Sequence, residues 1–278
     1  MDAGMGVVGE GHTPAGSNFA SPLLAGGMLA GAITLAWLLS LVACLGLDLA
    51  GLNPAVVLVA ILVRTFLHTG LFIIGHDAMH RVLVPSRPAL NDRIGAVALG
   101  LYAALPYGPC RQNHHQHHQA PGGDQDPDVH GNRSAPVWSW YGRFMAGYLS
   151  YRQFAALLAG WGVVALGARW WMGTPVVNVL LFCTLPLLLS SLQLFFVGTY
   201  LPHRNQAPAS NPHQAISLDW PEWVSLLACY HFGYHLEHHE APQLCWFQLP
   251  MAHRVHRHHH GQPTTQPMVK STPMIFAR

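Results

Sequence analysis

The chain has 278 residues, of which 51% are hydrophobic and only 9% charged, with a mean hydropathy of +0.24. Soluble domains carry about 25% charged residues, and a deficit of this size is what insertion into hydrocarbon demands. A formal net charge of +2 excludes the strongly basic footprint of a nucleic-acid binder.

Residues 1–22 are Gly-rich and polar, lack the basic start and small-residue cleavage site of a secretory signal, and are expected to be a flexible N-terminal segment. Residues 23–47 carry no charge until the turn that follows, and are long enough to cross about 30 Å of hydrocarbon as one helix. After a turn at 48–54 a second span runs over 55–75, so the first two form a hairpin. It carries Arg64 and His68 inside its apolar sequence. Ionisable groups at that depth are functional suspects by default, with helix packing as the alternative. His76 and His80 stand at its end.

The apolar run 94–105 is too short to span and predicts a re-entrant or interfacial helix. It delivers the chain to Asn113-His114-His115-Gln116-His117-His118. A loop over 120–136, rich in Gly, Pro and Asp, leads to a third span at 154–171 and an uncharged fourth at 176–200. Pro202, His203 and Arg204 follow directly. A shorter segment at 220–232 precedes His235-Leu236-Glu237-His238-His239, and residues 251–278 are expected to be a polar C-terminal tail. The five cysteines (Cys44, Cys110, Cys183, Cys229, Cys245) have no C-x-x-C spacing and read as small buried hydrophobes.

Four crossings put both termini and every histidine cluster on one face. Arg81, Arg87, Arg93, Arg111, Arg133, Arg143 and Arg152 lie between spans two and three; Arg204, Arg254, Arg257 and Lys270 follow span four; the two opposite turns hold only Arg169. By the positive-inside rule the histidine face is cytoplasmic. The predicted architecture is an all-α integral membrane protein. It has four transmembrane helices plus short interfacial or re-entrant helices, a histidine-rich cytoplasmic cap, and a single domain over residues 23–250.

His76 and His80, four apart, share one helical face. His114, His117 and His118 stand at i, i+3 and i+4, and His235, His238 and His239 repeat that spacing; His203 adds one more from an independent element. One zinc takes about four ligands, so nine imidazoles suit two metals, and imidazole serves iron as well as zinc or copper. His115 falls off the shared face and reads as a bystander; His231, four before His235, is at most an outer-layer group. Metal-bound histidines donate their second ring N–H to a carboxylate or carbonyl. Asp77, Asp126, Asp128, Glu237 and Glu240 stand among the clusters as partners for this, Asp77 and Glu237 foremost. His130, His213, His253 and His256 are expected to be solvated, and residues 258–260 are given no role. Trp138, Trp140, Tyr141, Trp220, Trp223, Trp246 and Phe247 read most simply as an interfacial aromatic belt.

The pattern H-x-x-x-H, H-x-x-H-H, H-x-x-H-H resembles the membrane fatty-acid desaturase and hydroxylase superfamily. Flanking residues are similar to the β-carotene ketolases within it: Gly70-Leu71-Phe72 before His76-Asp77-Ala78-Met79-His80, Gln119-Ala120-Pro121-Gly122 and Asp126-Pro127-Asp128, Leu192-Gln193-Leu194-Phe195, Gly198-Thr199-Tyr200-Leu201-Pro202-His203-Arg204, and Cys229-Tyr230-His231-Phe232-Gly233-Tyr234-His235. The resemblance covers about residues 55–250. It implies two iron ions (Fe2+) held by the nine histidines, with no catalytic residue beyond the metal centre. It also implies conversion of the 4-methylene of the β-ionone rings of β-carotene to a ketone (echinenone, canthaxanthin), with hydroxylated carotenoids as further substrates. Two rounds of O2-dependent hydroxylation at one carbon would give a gem-diol that loses water. The chain has no Gly-x-Gly-x-x-Gly dinucleotide fingerprint, so a ferredoxin-like donor is implied. Carotenoid ring hydroxylases and fatty-acyl desaturases or hydroxylases share the same histidine core. A membrane metal carrier would instead place its ligands along the spans.

Overall fold

The computed structural model describes residues 22–205 and 211–260. The segments expected to be a flexible N-terminus and a polar tail therefore lie outside the described residues over 1–21 and 261–278. The described residues form helices and turns and no strand.

Four helices are long and apolar enough to cross a membrane: α1 (Pro22–Leu45), α2 (Pro54–Met79), α6 (Tyr151–Met172) and α7 (Val176–His203). Their outer faces are bare. Val163 and Leu166 on α6 are 70% and 73% exposed, a surface that water would not tolerate over a whole helix and that lipid covers. The ends of the helices follow from local chemistry. Asn53 caps α2 by accepting the Ala55 N–H, with Pro54 in the first turn. Ser150 and Gln153 form a capping box at α6, and Gly173 closes it with a positive φ. Helix α2 continues four residues past the end expected from hydropathy, which places His76 on the helix itself.

Between these spans α3 (Pro88–Ala103) descends beside α2, reverses at Ala104, and α4 (Tyr107–Gln119) climbs back. The expected re-entrant element is the first arm of this hairpin. Its tip is deep: the Tyr102 carbonyl meets the His68 ring and the Tyr102 hydroxyl accepts from Ser190. Close approach depends on Gly75 and Gly95. A Cβ at Gly75 would fall 2.4 Å from Leu99, and one at Gly95 2.5 Å from Ala78.

Helix α7 is interrupted by two π-type turns, Leu180–Thr184 and Phe196–Tyr200, irregularities that loosen the helical ladder. In the first, the Phe182 carbonyl accepts from Arg64 Nε at 3.0 Å. Arg64 Nη1 also donates to the Trp37 carbonyl at 2.7 Å and to Ser40 Oγ at 2.9 Å. The residue is 1% exposed and ties α1, α2 and α7 together. His68 accepts from Trp37 Nε1 at 3.1 Å, and its Nε2–H donates to the Tyr102 carbonyl at 2.9 Å. Both intramembrane groups are thus fully engaged in helix packing. Arg64→Met is expected to leave a buried carbonyl unpaired and cost about 2 kcal/mol. The melting temperature in detergent should fall by several degrees, and an unchanged value would contradict this role.

On the histidine face, α8 (Glu222–Cys229) ends in two consecutive non-glycine residues with positive φ, Tyr230 (49°) and His231 (62°). Such positions are strained, and here the turn aims Phe232 and α9 (His235–Glu240) inward. The last helix, α10 (Leu249–His260), crosses the expected start of a polar tail at 251. It is held because His253 stacks on Tyr234 with ring centroids 4.3 Å apart and meets Glu237 at 2.8 Å.

Candidate metal centre

Eight of the nine expected ligands fall into two groups of four. His76, His80, His114 and His238 form one, and His117, His203, His235 and His239 the other; within each group the ligand nitrogens lie within 4.8 Å of one another. All eight are buried except His80, which is half-buried. Each group draws on three elements: α2, α4 and α9 for the first, and α4, α7 and α9 for the second. The way these elements face one another makes the split. His114 and His117, one turn apart on α4, serve different groups, as do the neighbours His238 and His239 on α9.

The ninth, His118, belongs to neither group of four and lies between them. Its Nε2 is 2.9 Å from His238 Nε2, and its ring stacks on His239 with centroids 4.2 Å apart. His115 turns away, its Nε2 at 3.0 Å from the Met79 carbonyl.

The donor set fits metal ions. Two imidazoles bound to one ion at about 2.1 Å place their nitrogens about 3 Å apart. Here Nε2 to Nε2 separations are 2.7 Å for His80 and His114, and 3.1 Å for both His117 with His239 and His239 with His235. The Nε2 atoms of His76 and His203 are buried with no partner, a costly state that a cation relieves. Burial and neighbouring basic rings hold His80 down to about 3 and His118 to about 2, and drive His114, His235, His238 and His239 well below the ordinary imidazole value. The direction of these shifts favours the neutral, lone-pair-donating form of each ring.

The outer layer differs in part from the sequence expectation. Asp126 is buried and meets His117 Nδ1 with both oxygens, at 2.9 and 3.0 Å. Burial alone would lower the His117 ring, but Asp126 and Asp128 outweigh it and raise it. The same contact holds Asp126 below the usual carboxylate range despite its burial. Asp77 meets His76 Nδ1 at 3.3 Å and also accepts the Trp246 N–H at 3.0 Å. His203 Nδ1 pairs with the Gln214 carbonyl at 3.0 Å, a backbone partner that no side-chain pattern could announce.

Three carboxylates do something else. Glu237 points away from the clusters because its oxygens are taken by His253 and by the hydroxyl of Ser217. Glu240 forms an ion pair with His256 at 3.3 Å on the surface. Asp128 accepts the Tyr148 hydroxyl at 2.6 Å. His253, expected in solvent, is buried; it shares the inward face of α10 with Leu249, a signal present in the one-turn spacing. His231 is buried, with Nδ1 unpartnered, and stacks on Tyr234 and Trp246 rather than on a cluster ring. His130 stacks on Trp140, and His213 lies 5.9 Å from the His239 ring. Of the aromatic belt, Trp138 and Trp223 are exposed, whereas Trp140 is buried against Val129 and Phe195.

A small cavity of about 30 Å³ opens between the two groups; His76, His114, His117 and His235 line it together with Phe232, Gly198 and Asp128. It shares Phe72, Phe144, Tyr148 and Leu194 with a second, almost wholly apolar cavity of about 140 Å³ that runs past Leu105, Leu157, Trp161 and Leu188 among α3, α5 (Val137–Tyr148), α6 and α7. These four shared residues form the wall between the apolar cavity and the one at the histidines.

The sequence pattern described as fatty acid desaturase matches residues 52–159 and 144–267. A β-carotene ketolase of Paracoccus sp. (strain N81106 / MBIC 01143) is 40% identical over 227 residues, 80% of this chain and 90% of its own. The β-carotene 4-ketolase of Protosiphon botryoides is 40% identical over 210 residues, 72% of this chain and 52% of its own. A zeaxanthin 4-ketolase of Chlamydomonas reinhardtii is 38% identical over 197 residues, covering 69% and 43%. The match thus takes in about half the length of these algal relatives and nine tenths of the bacterial one.

Proposed function

This chain belongs to the fatty acid desaturase family, with β-carotene ketolases among its relatives, and we propose that it is a membrane carotenoid ketolase with two iron ions. It would convert the 4-methylene of the β-ionone rings of β-carotene to a ketone. What supports this reading is the apolar cavity among the lipid-facing helices that abuts, across Phe72, Phe144, Tyr148 and Leu194, the cavity lined by imidazoles of both clusters, together a proposed passage for the substrate. A polyene dissolved in the bilayer can enter it without crossing water, its ring leading.

His76, His80, His114 and His238 would hold one iron, His117, His203, His235 and His239 the other, with His118 between them. Bound iron would supply the activation of dioxygen. Residues of the chain do the rest. Phe72, Phe144, Leu194 and Phe232 enclose the ring, exclude water and present one carbon to the histidines. Asp77, Asp126 and the Gln214 carbonyl fix ring orientation by accepting Nδ1–H. Each of two rounds would consume O2, two electrons and two protons and return one water; the resulting gem-diol would lose a third water to leave the ketone. Residues 23–250 would form the oxygenase domain, with electrons delivered at the histidine face by a ferredoxin-like donor. The arginine-rich flanks of spans two to four support a cytoplasmic position for that face.

Expression in bacteria that accumulate β-carotene tests the reading. Echinenone and canthaxanthin are the expected pigments; ring-hydroxylated products, or unchanged carotene with iron bound and a donor present, would overturn it. Leu194→Trp, at the junction of the two cavities, is expected to lower ketone formation at least tenfold with iron content unchanged. Full activity in that variant would remove the passage from the account.

A further inference from the structure

Asp128 is the one carboxylate among the residues that line the inner cavity. Asp126 is hydrogen-bonded to His117 Nδ1, whereas Asp128, whose charge also raises the His117 ring, makes its side-chain hydrogen bond elsewhere. Its Oδ1 accepts the Tyr148 hydroxyl at 2.6 Å, and both residues line the same cavity as His76, His114, His117 and His235. Its second carboxylate oxygen has no hydrogen-bond partner among the described residues. Around it the walls are Phe72, Phe144, Leu194 and Phe232. An acceptor in an apolar chamber discriminates strongly between ligands that donate to it and ligands that do not. The hydrocarbon ring of the starting substrate has no donor. The ring after one oxidation has a single donor, the new C4 hydroxyl.

We propose that Asp128, held by Tyr148, accepts a hydrogen bond from the hydroxyl of the once-oxidised ring and positions that ring for its second oxidation at the same carbon. This deepens the ketolase reading and rests on it. The carboxylate makes no covalent bond and changes no oxidation state. Held by O–H···O, the alcohol stays in the chamber between rounds, and the remaining C4–H keeps its place opposite the histidines. Without the acceptor the alcohol is an apolar ligand like its precursor and leaves after one round. Asp128 is thus a residue that sets the product, ketone rather than alcohol.

The test is the ratio of 4-hydroxylated to 4-keto carotenoid formed by the full-length protein in β-carotene-accumulating bacteria, with iron content measured on the same preparations. Asp128→Asn should raise the ratio about tenfold or more, the factor expected for losing a hydrogen bond to a charged acceptor. Tyr148→Phe removes only the hydroxyl that holds the carboxylate, and it should move the ratio in the same direction by less. It also decides the matter if Asp128→Asn fails to fold. A purely structural role lowers both products together, so a ratio within twofold of wild type in the variants that retain iron overturns the proposal. Wild-type protein that oxidises no carotenoid defeats the ketolase reading and this inference with it. Wild-type ketone with an unmoved ratio in the variants defeats this inference alone.

Discussion

Alanine at His238 or at His239 is expected to abolish ketone formation and to lower bound iron from about two per chain to one or none. The two residues are neighbours in sequence, yet the six-residue helix α9 turns one toward His76, His80 and His114 and the other toward His117, His203 and His235. Each substitution takes one nitrogen from a group of four. The three left in that group form an incomplete, poorly held site, and the remaining buried ring nitrogens lose the cation that satisfies them. The same loss is expected for His203→Ala, although His203 stands alone in sequence, because it completes the second group. Substantial turnover in that variant would remove it from the ligand set. His118→Ala is the sharpest member of the series. Its ring touches both groups, so loss of a single iron there would assign it to one of them.

Asp126→Asn is expected to cost 10- to 100-fold in iron retention or activity, the usual effect of removing a carboxylate behind a metal-bound histidine, while helix content stays as in wild type. Three backbone N–H groups, of Gly122, Asp128 and Val129, converge on this carboxylate and fix it against His117 Nδ1. An amide keeps the volume but offers only one acceptor oxygen, and its NH2 would face these donors. Asp77→Asn should weaken iron retention less, because its contact with His76 is longer, 3.3 Å, and is shared with the Trp246 N–H. Iron titration of the purified variants checks both; wild-type affinity in Asp126→Asn would show that the His117 ring needs no carboxylate.

The clusters were legible in the sequence because helical phase is a local property. Spacings of three and four residues bring His114, His117 and His118 to one side and leave His115 on another, and the structure keeps that division. The division of the ligands between two groups was not legible, since it depends on how α2, α4, α7 and α9 face one another across the chain. The outer layer was legible only where the acceptor is anchored by its own loop, as at Asp126. Glu237 sits inside a histidine motif and still faces outward, because a helical residue two positions after His235 points to the opposite side, where His253 and Ser217 meet it. Hydropathy located four spans and the re-entrant run. It ended α2 too early, because His76, Asp77 and His80 look polar in a list and are buried in the fold. Arg64 could be read as a functional charge or a packing group, because its partners are the Phe182 carbonyl in a π-turn and the Trp37 carbonyl and Ser40 hydroxyl on α1, which no residue pattern marks.

The central proposal is that two groups of histidines, each assembled from three elements, hold one iron each. Metal analysis of the purified full-length protein, made alongside the pigment assay, tests it most directly. Two iron atoms per chain are predicted, with ketone formed in proportion to iron content as metal is removed and restored. One metal per chain, or zinc in place of iron with ketone formation undiminished, would contradict it.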